Sequence, residues 1–327
     1  MIAVTGANGL LGSYIVRKLL AEKIPFIALK RSGSDTSLLN DINSQITWRD
    51  ADVLDLPALH NALQHVSGVI HAAALVSFNP RDKKKLFAAN IEGTKNMVNA
   101  CLLLGITRFL HISSVAALGR LNGQRVITEE NKWTDSTLNS AYAESKYRAE
   151  LEVFRGQEEG LSTVIVNPSV ILSRSDWNRS SSQLFKYVWN QRPFYIDGSL
   201  NYVDVRDLSE AIVRLYQSDF EGERFILNAG SIPYHDFFAA VAKQFNRTPP
   251  RIKLSKTMLT WLARAERVRS ALTGANPLIT PETARLAGTS FFYSNQKISA
   301  ALNMAFQPIE QSIDWCCDWY KAQAGKK

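Results

Sequence analysis

The chain has 327 residues, 46% of them hydrophobic and 21% charged, which is enough for about two domains and a large buried core. The formal net charge is +8. However, the basic residues are scattered without aromatic interleaving, which argues against nucleic acid as a partner, and no apolar run approaches the ~18 residues of a membrane span. Cys101, Cys316 and Cys317 show neither metal-ligand nor Cys-x-x-Cys spacing, so no metal site or disulfide framework is expected, and the compartment reads as reducing and cytoplasmic.

Ile2, Ala3 and Val4 read as a strand at once, so no leader is expected ahead of them. A glycine turn and a helix over 13–21 follow. Strands are predicted over 26–29, 46–52, 68–72, 109–113 and 162–167, with helices over 56–63, 86–104 and 141–158 in the gaps. Continuous apolar strands separated by helices predict an α/β fold, a doubly wound parallel sheet covered on both faces. After Pro168 the texture changes. Residues 171–203 look irregular and aromatic, with Trp177, Phe185, Tyr187, Trp189, Phe194, Tyr195 and Tyr202 divided evenly between core and substrate-wall readings. A helix over 207–217 and a strand over 224–228 come next. The remainder reads as mostly helical, broken at Pro249-Pro250, Pro277 and Pro281. Residues 1–170 with about 204–229 are expected to form one domain, and about 171–203 with 230–327 a smaller, mostly helical substrate domain.

Two motifs carry chemistry. The first is Thr5-Gly6-Ala7-Asn8-Gly9-Leu10-Leu11-Gly12, placed between strand and helix. Gly6 permits the tight turn, Gly9 lets backbone approach a pyrophosphate, and Gly12 lets the helix pack on the strand. The helix N-terminus adds free N–H groups and positive potential. No Gly-Lys-Ser/Thr follows, so a P-loop is excluded. The end of the second strand carries Lys30, Arg31 and Ser32, and no carboxylate appears until Asp35. Arg31 suits the 2′-phosphate of NADP better than the ribose of NAD, which stays open as an alternative.

The second motif is Tyr142-Ala143-Glu144-Ser145-Lys146, with Ser113-Ser114 upstream. Tyr142 and Lys146 share one helix face. An ammonium beside a phenol lowers the phenol's pKa, so Tyr142 could give or take a proton while Ser114 holds the substrate oxygen. A second copy of the spacing, Tyr14 and Lys18, has no serine-bearing strand before it; there Tyr14 is expected to pack and Lys18 to be solvated. His71 and His111 read as core histidines.

With these residues the chain resembles the extended short-chain dehydrogenases/reductases, in the broad epimerase/dehydratase and dihydroflavonol-reductase-like group. The likeness covers nearly the whole chain. It runs through Thr5 to Gly12, Asp52-Val53, His71 to Ala74, Asn90 to Thr94, Ser113 to Gly119, Tyr142 to Lys146, Asn167 to Ser169 and Tyr202 to Asp207. The resemblance implies a Rossmann sheet with Asp52 and Val53 at adenine. It places Ala72, Ala73 and Ala74 along the dinucleotide, and Ser113, Pro168 and Val170 beside the nicotinamide. Ser114, Tyr142 and Lys146 become the catalytic set, with Lys146 also on the nicotinamide ribose. Asn90 is read as a brace for its helix beside the cofactor. The resemblance also implies a homodimer through the helices over 86–104 and 141–158, although the first of these also needs an apolar face for its own sheet.

The chain departs from the sugar-nucleotide enzymes of that group at Ala117 and at Asn167-Pro168-Ser169. The favoured reading is therefore an NADP-dependent carbonyl reductase or alcohol dehydrogenase acting on a small molecule. The alternative is a sugar-nucleotide epimerase or dehydratase with tightly bound NAD(P), for which Arg174, Arg179, Lys186 and Arg192 could hold a pyrophosphate. A dinucleotide-sensing scaffold is a third reading, disfavoured by the intact serine, tyrosine and lysine.

Overall fold

Short apolar strands alternating with amphipathic helices bury side chains on both faces of a sheet. The computed structural model describes residues 1–325 apart from 121–123, 137–138, 178, 180, 256, 260 and 263–290. The breaks expected at Pro277 and Pro281 lie outside the described residues. The strands are β1 (Ile2–Thr5), β2 (Phe26–Lys30), β3 (Trp48–Asp50), β4 (Gly68–His71), β5 (Arg108–Ile112), β6 (Val126–Ile127), β7 (Ser162–Pro168), β8 (Val170–Leu172), β9 (Phe194–Tyr195), β10 (Ser199–Asp204), β11 (Glu223–Leu227), β12 (Gly230–Pro233), β13 (Ile252–Lys253) and β14 (Phe292–Tyr293). The first eight helices are α1 (Leu10–Ala21), α2 (Leu56–Ala62), α3 (Lys83–Phe87), α4 (Gly93–Leu103), α5 (Ala141–Glu158), α6 (Ser182–Trp189), α7 (Val205–Gln217) and α8 (Tyr234–Phe245).

Seven strands form one parallel sheet in the order β11-β7-β5-β4-β1-β2-β3. Alternate residues of each strand feed opposite cores. Ile2, Val4, Ile70, Leu110, Val164 and Val166 pack with Ile15, Val16 and Leu19 of α1 and with Leu208 and Ile212 of α7. Ala3, Val69, Phe109 and Ile165 pack on the other face with Leu59 of α2, Met97 and Val98 of α4, and Val153 of α5. Truncating a fully buried residue such as Leu19 to alanine costs about 2–5 kcal/mol. The chain leaves β1 toward β2 on one side and β4 on the other, so the strand order reverses there. A crevice opens at the carboxyl ends of the strands at such a switch point.

Two expectations change. The helix over 86–104 is α3, then a π-helical stretch at Ala88–Glu92, then α4. The residue at the α4 start must be small, because a Cβ on Gly93 would lie 2.7 Å from Val53 Cγ2. The segment 171–203 is not irregular. It holds part of β8, α6 and β10, the last pairing with β8 and β12 in a three-stranded sheet. Its aromatics resolve mainly as core. Phe185 and Tyr202 are buried with Phe237 and Tyr320, Trp177, Tyr187, Trp189 and Tyr195 pack against them, and Phe194 is exposed. This third cluster lies on α6, α8 and the helix Ile309–Ala324. Among the described residues after 230 the longest elements are helices, Tyr234–Phe245, Gln296–Leu302 and Ile309–Ala324, and the short strands β12, β13 and β14 stand between them and before them.

Candidate active site

The end of the crevice at the glycine turn is made of backbone. After Thr5 the chain turns through Gly6, whose φ is +63°. A Cβ there would lie 2.8 Å from the Ala72 carbonyl and from Ala73 Cα, so the turn packs on the segment leaving β4. Gly9 N donates to Gly6 O at 2.9 Å. A Cβ on Gly12 would lie 2.0 Å from Gly6 O, so α1 starts directly against the turn. Gly9 is the N-cap of α1; no side chain caps it and no acid stands in the first turn. The N-terminal N–H groups and the positive end of the dipole therefore suit an anion. Leu10 and Leu11 contribute side chains to the core, leaving only backbone for a ligand. Asn8 Nδ2 donates to Asp35 O at 3.0 Å and ties the turn to the loop after β2.

That loop borders an open cleft of about 560 Å³ lined by Arg31, Ser32, Asp50 and Asp52 among others. Asp50 takes Lys30 Nζ at 2.7 Å and also a hydrogen bond from Ser32. Arg31 stands exposed on the rim. Asp52 accepts Leu54 N at 2.9 Å, and Val53 is held through its carbonyl by Asn96 Nδ2 at 3.0 Å.

At the other end the polar groups are side chains. Ser113 and Ser114 follow β5. Ser113 N donates to Val166 O at 2.7 Å, and its side chain is buried with no partner for Oγ. Ser114 Oγ accepts Ala116 N at 3.1 Å, capping a short 3₁₀ turn over Val115–Ala117. Helix α5 is started by Ser140, whose Oγ accepts Ala143 N at 3.0 Å; this fixes where Tyr142 emerges. Tyr142 is hydrogen-bonded to Ser114. The ring of Phe78 stands edge-on to it at 5.7 Å. Structure thus brings the Ser114 and Tyr142 hydroxyls together.

The electrostatics differ from the expectation. Burial pushes the Tyr142 phenol up from its ordinary value, and only the Ser114 hydrogen bond opposes that shift. Lys146 is 1% exposed and donates Nζ to Ile112 O at 2.8 Å. Burial lowers its pKa to about 8, with the nearby Glu150 carboxylate opposing. The ammonium is thus engaged by the end of β5, which leaves the phenol without the lowering expected of it.

Three networks brace this end, and sequence reading saw little of them. Asn90, in the π-helical stretch, accepts Leu75 N at 2.7 Å and donates to Leu75 O and to Ser145 Oγ, at 3.0 and 2.9 Å. Its amide is spent on protein, consistent with a brace. His71 bridges Thr5 Oγ1 at 2.8 Å and Thr94 Oγ1 at 3.2 Å. Thr94 donates to Asn90 O, so His71 must carry its proton on Nε2 and accept from Thr5 at Nδ1. Burial, reinforced by the Lys146 charge, lowers its pKa to about 3 and keeps it neutral. Finally, Asn167 Nδ2 donates to Ser114 O at 2.9 Å and to Glu150 Oε1 at 2.7 Å. Arg224 closes the network on Glu150 at 3.2 Å. Glu150 follows Lys146 by one helical turn, a signal the sequence did contain.

The remaining residues fall as follows. Pro168 ends β7 opposite Leu227, and Val170 is exposed in β8 opposite Tyr202. Ala72 and Ala73 are half-buried against the glycine turn, and Ala74 is exposed. Tyr14 packs on Trp315 and donates to Arg174 O, while Lys18 is ion-paired to Glu22 and Glu210. Of the four basic residues considered for a pyrophosphate, Arg174 is stacked on Trp315 and Arg179 is paired with Asp35 at 2.7 Å. Among the described residues no group of three His, Cys, Asp or Glu could hold a metal ion, and no helix is long and apolar enough to cross a membrane.

The chain is similar to known proteins over most of its length. Residues 2–230 match the model of the NAD dependent epimerase/dehydratase family. A Synechocystis sp. protein provisionally named dihydroflavonol 4-reductase is 28% identical over 325 residues, covering 97% of this chain and 94% of that one. Cinnamoyl-CoA reductase 1 of Oryza sativa subsp. japonica is 26% identical, covering 77% and 78%. Among solved structures, gox2253 superposes with a TM-score of 0.84 at 29% identity, covering 99% of this chain and 98% of that one. The Thermus thermophilus UDP-glucose 4-epimerase complexed with NAD shares the fold at a TM-score of 0.75 and 19% identity, covering 98% of each chain.

Proposed function

The chain belongs to the NAD dependent epimerase/dehydratase family and is an enzyme of the oxidoreductase/epimerase kind, and from that premise we propose that it is an NADP-dependent carbonyl reductase or alcohol dehydrogenase. The observation that carries this reading is the half-buried Tyr142, hydrogen-bonded to Ser114 and beside the buried Lys146.

The residues present fit a dinucleotide. Gly6, Gly9 and the α1 N-terminus would hold its pyrophosphate; Arg31 would take a 2′-phosphate and Asp52 and Val53 would border adenine. The orphaned Ser113 Oγ, with Lys146, Pro168 and Val170, would face the nicotinamide end. When bound, the dinucleotide supplies or accepts the hydride. In reduction, Tyr142 gives its proton to the carbonyl oxygen and Ser114 steadies that oxygen as charge develops on it. A phenol raised by burial holds its proton at neutral pH, as a general acid must. Phe78 packs against the Tyr142 ring.

A homodimer through α4 and α5 and a cytoplasmic location belong to the same reading: Leu103 and Leu151 stand exposed on those helices and the three thiols are free. The sugar-nucleotide alternative is weakened by Arg174 and Arg179 being engaged elsewhere. Steady NADPH oxidation with a panel of aldehydes and ketones, lost in Tyr142→Phe, is the expected result. Cofactor that stays bound without net consumption while a nucleotide sugar is interconverted would contradict it.

A further inference from the structure

The segment that carries Ser114 also carries a guanidinium that the chemistry above does not use. Arg120 follows the 3₁₀ turn Val115–Ala117 by three residues. Its backbone is fixed just before it, because Gly119 lies so close to Lys132 O that a Cβ there would stand 2.1 Å away. The half-buried side chain donates Nε to Tyr293 Oη at 3.0 Å, and its Cζ lies 5.6 Å from the centre of the Phe291 ring. Tyr293 is buried, and its carbonyl is held by Asn228 Nδ2 at 2.8 Å. Phe291 is held through its carbonyl by Asn201 Nδ2 at 2.7 Å. The charge of Arg120 is felt at the phenols of both Tyr293 and Tyr234, the latter at the start of α8.

A guanidinium so placed has Nε committed to the Tyr293 hydroxyl and lies beside the Phe291 ring, while its terminal Nη fork has no carboxylate partner among the described residues. Such a fork is preorganised for two parallel hydrogen bonds to a carboxylate or a phosphate. Three residues of 3₁₀ turn and three of extended chain hold the Cα atoms of Ser114 and Arg120 within about 16 Å of each other. One molecule can therefore reach both groups.

We propose that Arg120 anchors an anionic group, a carboxylate or a phosphate ester, on the same substrate whose carbonyl meets Ser114 and Tyr142. This rests on the reading of Ser114 and Tyr142 as the reacting end. Tyr293 and Phe291 act as positioning residues for the fork.

The test is calorimetric titration into protein saturated with NADP⁺, so that binding is read without turnover. The probes are para-formylbenzoate, para-formylphenyl phosphate and a longer formylbiphenyl carboxylate, each against its neutral methyl ester or methyl ether. In the wild type at least one anion should bind about tenfold or more tightly than its neutral counterpart, the return of a charge-assisted bidentate pair. Which anion wins separates carboxylate from phosphate. In Arg120→Met the anion-to-neutral ratio should collapse toward unity, and Arg120→Lys should restore part of it. The ratio is taken within each protein, so a general loss of binding from disturbed packing cancels. No preference in the wild type, or a preference that survives Arg120→Met, overturns the proposal. Turnover of the neutral probes with NADPH is scored separately. Its absence with an intact anion preference sinks the reductase reading alone.

Discussion

The two ends of the crevice are built from different materials. At the nucleotide end the functional groups are backbone N–H groups and exposed charge: the Gly6 turn, the α1 N-terminus and Arg31 on an open rim. At the end proposed for the chemistry they are buried or half-buried side chains, each with named partners: Tyr142 on Ser114, Lys146 on Ile112 O, and Asn167 between Ser114 and Glu150. The contrast has an energetic meaning. Exposed charges gain little and are screened by salt, whereas removing one partner of a buried polar pair leaves the other uncompensated. Substitutions at the first end should therefore act through affinity, and at the second through rate and stability together.

The largest effect is expected at Tyr142. Tyr142→Phe removes the proton donor but keeps the ring against Phe78, so turnover should fall roughly 10²–10⁴-fold while the fold persists. Single-turnover rates with NADPH, alongside a thermal melt, measure both. Next comes Glu150, which is fully buried and holds Arg224 and Asn167. Glu150→Ala should cost up to about 3–5 kcal/mol, because Arg224 loses its carboxylate and keeps only the carbonyls of Glu129 and Asn131, with Glu150→Gln costing less because an amide oxygen can still accept from Asn167. Denaturant unfolding of the two variants would break the comparison if both were neutral.

Lys146 sharpens it through pH. Its pKa drops from 10.5 unfolded to about 8 folded. Between those values the unfolded chain keeps a proton that the folded chain has released. The burial cost is fully present below pH 8 and is relieved as pH rises through the window. Wild-type stability relative to Lys146→Met should therefore climb by up to about 3 kcal/mol across it. A flat difference would mean that Lys146 holds its ordinary pKa. The smallest effect belongs to the nucleotide end. Arg31→Ala should weaken NADPH by about tenfold and NADH little, and the difference should shrink in high salt. Fluorescence titrations at two ionic strengths would show it.

Legibility in the sequence follows the same divide. Gly6, Gly9 and Gly12 were readable because backbone sterics leave few other residues possible at those positions. Tyr142 and Lys146 were readable because helical periodicity puts them on one face. The parallel sheet followed from apolar runs that agree with the observed strands to within a few residues. What escaped was assembled from distant elements. Asn167, Glu150 and Arg224 come from β7, α5 and β11; the one local sign is Glu150 standing a helical turn after Lys146, and its partners lie on distant strands. The π-helical stretch at Ala88–Glu92 escaped because a single inserted residue barely disturbs an apolar period, yet it turns Asn90 inward to Leu75 and Ser145. Helix α6 was masked by aromatic residues that suit strand, loop and core alike; tertiary packing on Phe237 and Tyr320 decides it. The expected lowering of the Tyr142 pKa failed because spacing alone cannot show that Ile112 O takes the ammonium.

Deuteride transfer tests the central claim most directly. The protein is incubated with NADPH carrying deuterium at the reactive carbon and with a carbonyl compound that it turns over. Mass spectrometry should find one deuterium in the alcohol for each NADP⁺ formed, and at least about a hundredfold less labelled alcohol in the same time when Tyr142→Phe is used. Unlabelled product, or interconversion of a sugar nucleotide with no NADP⁺ released, would contradict the account.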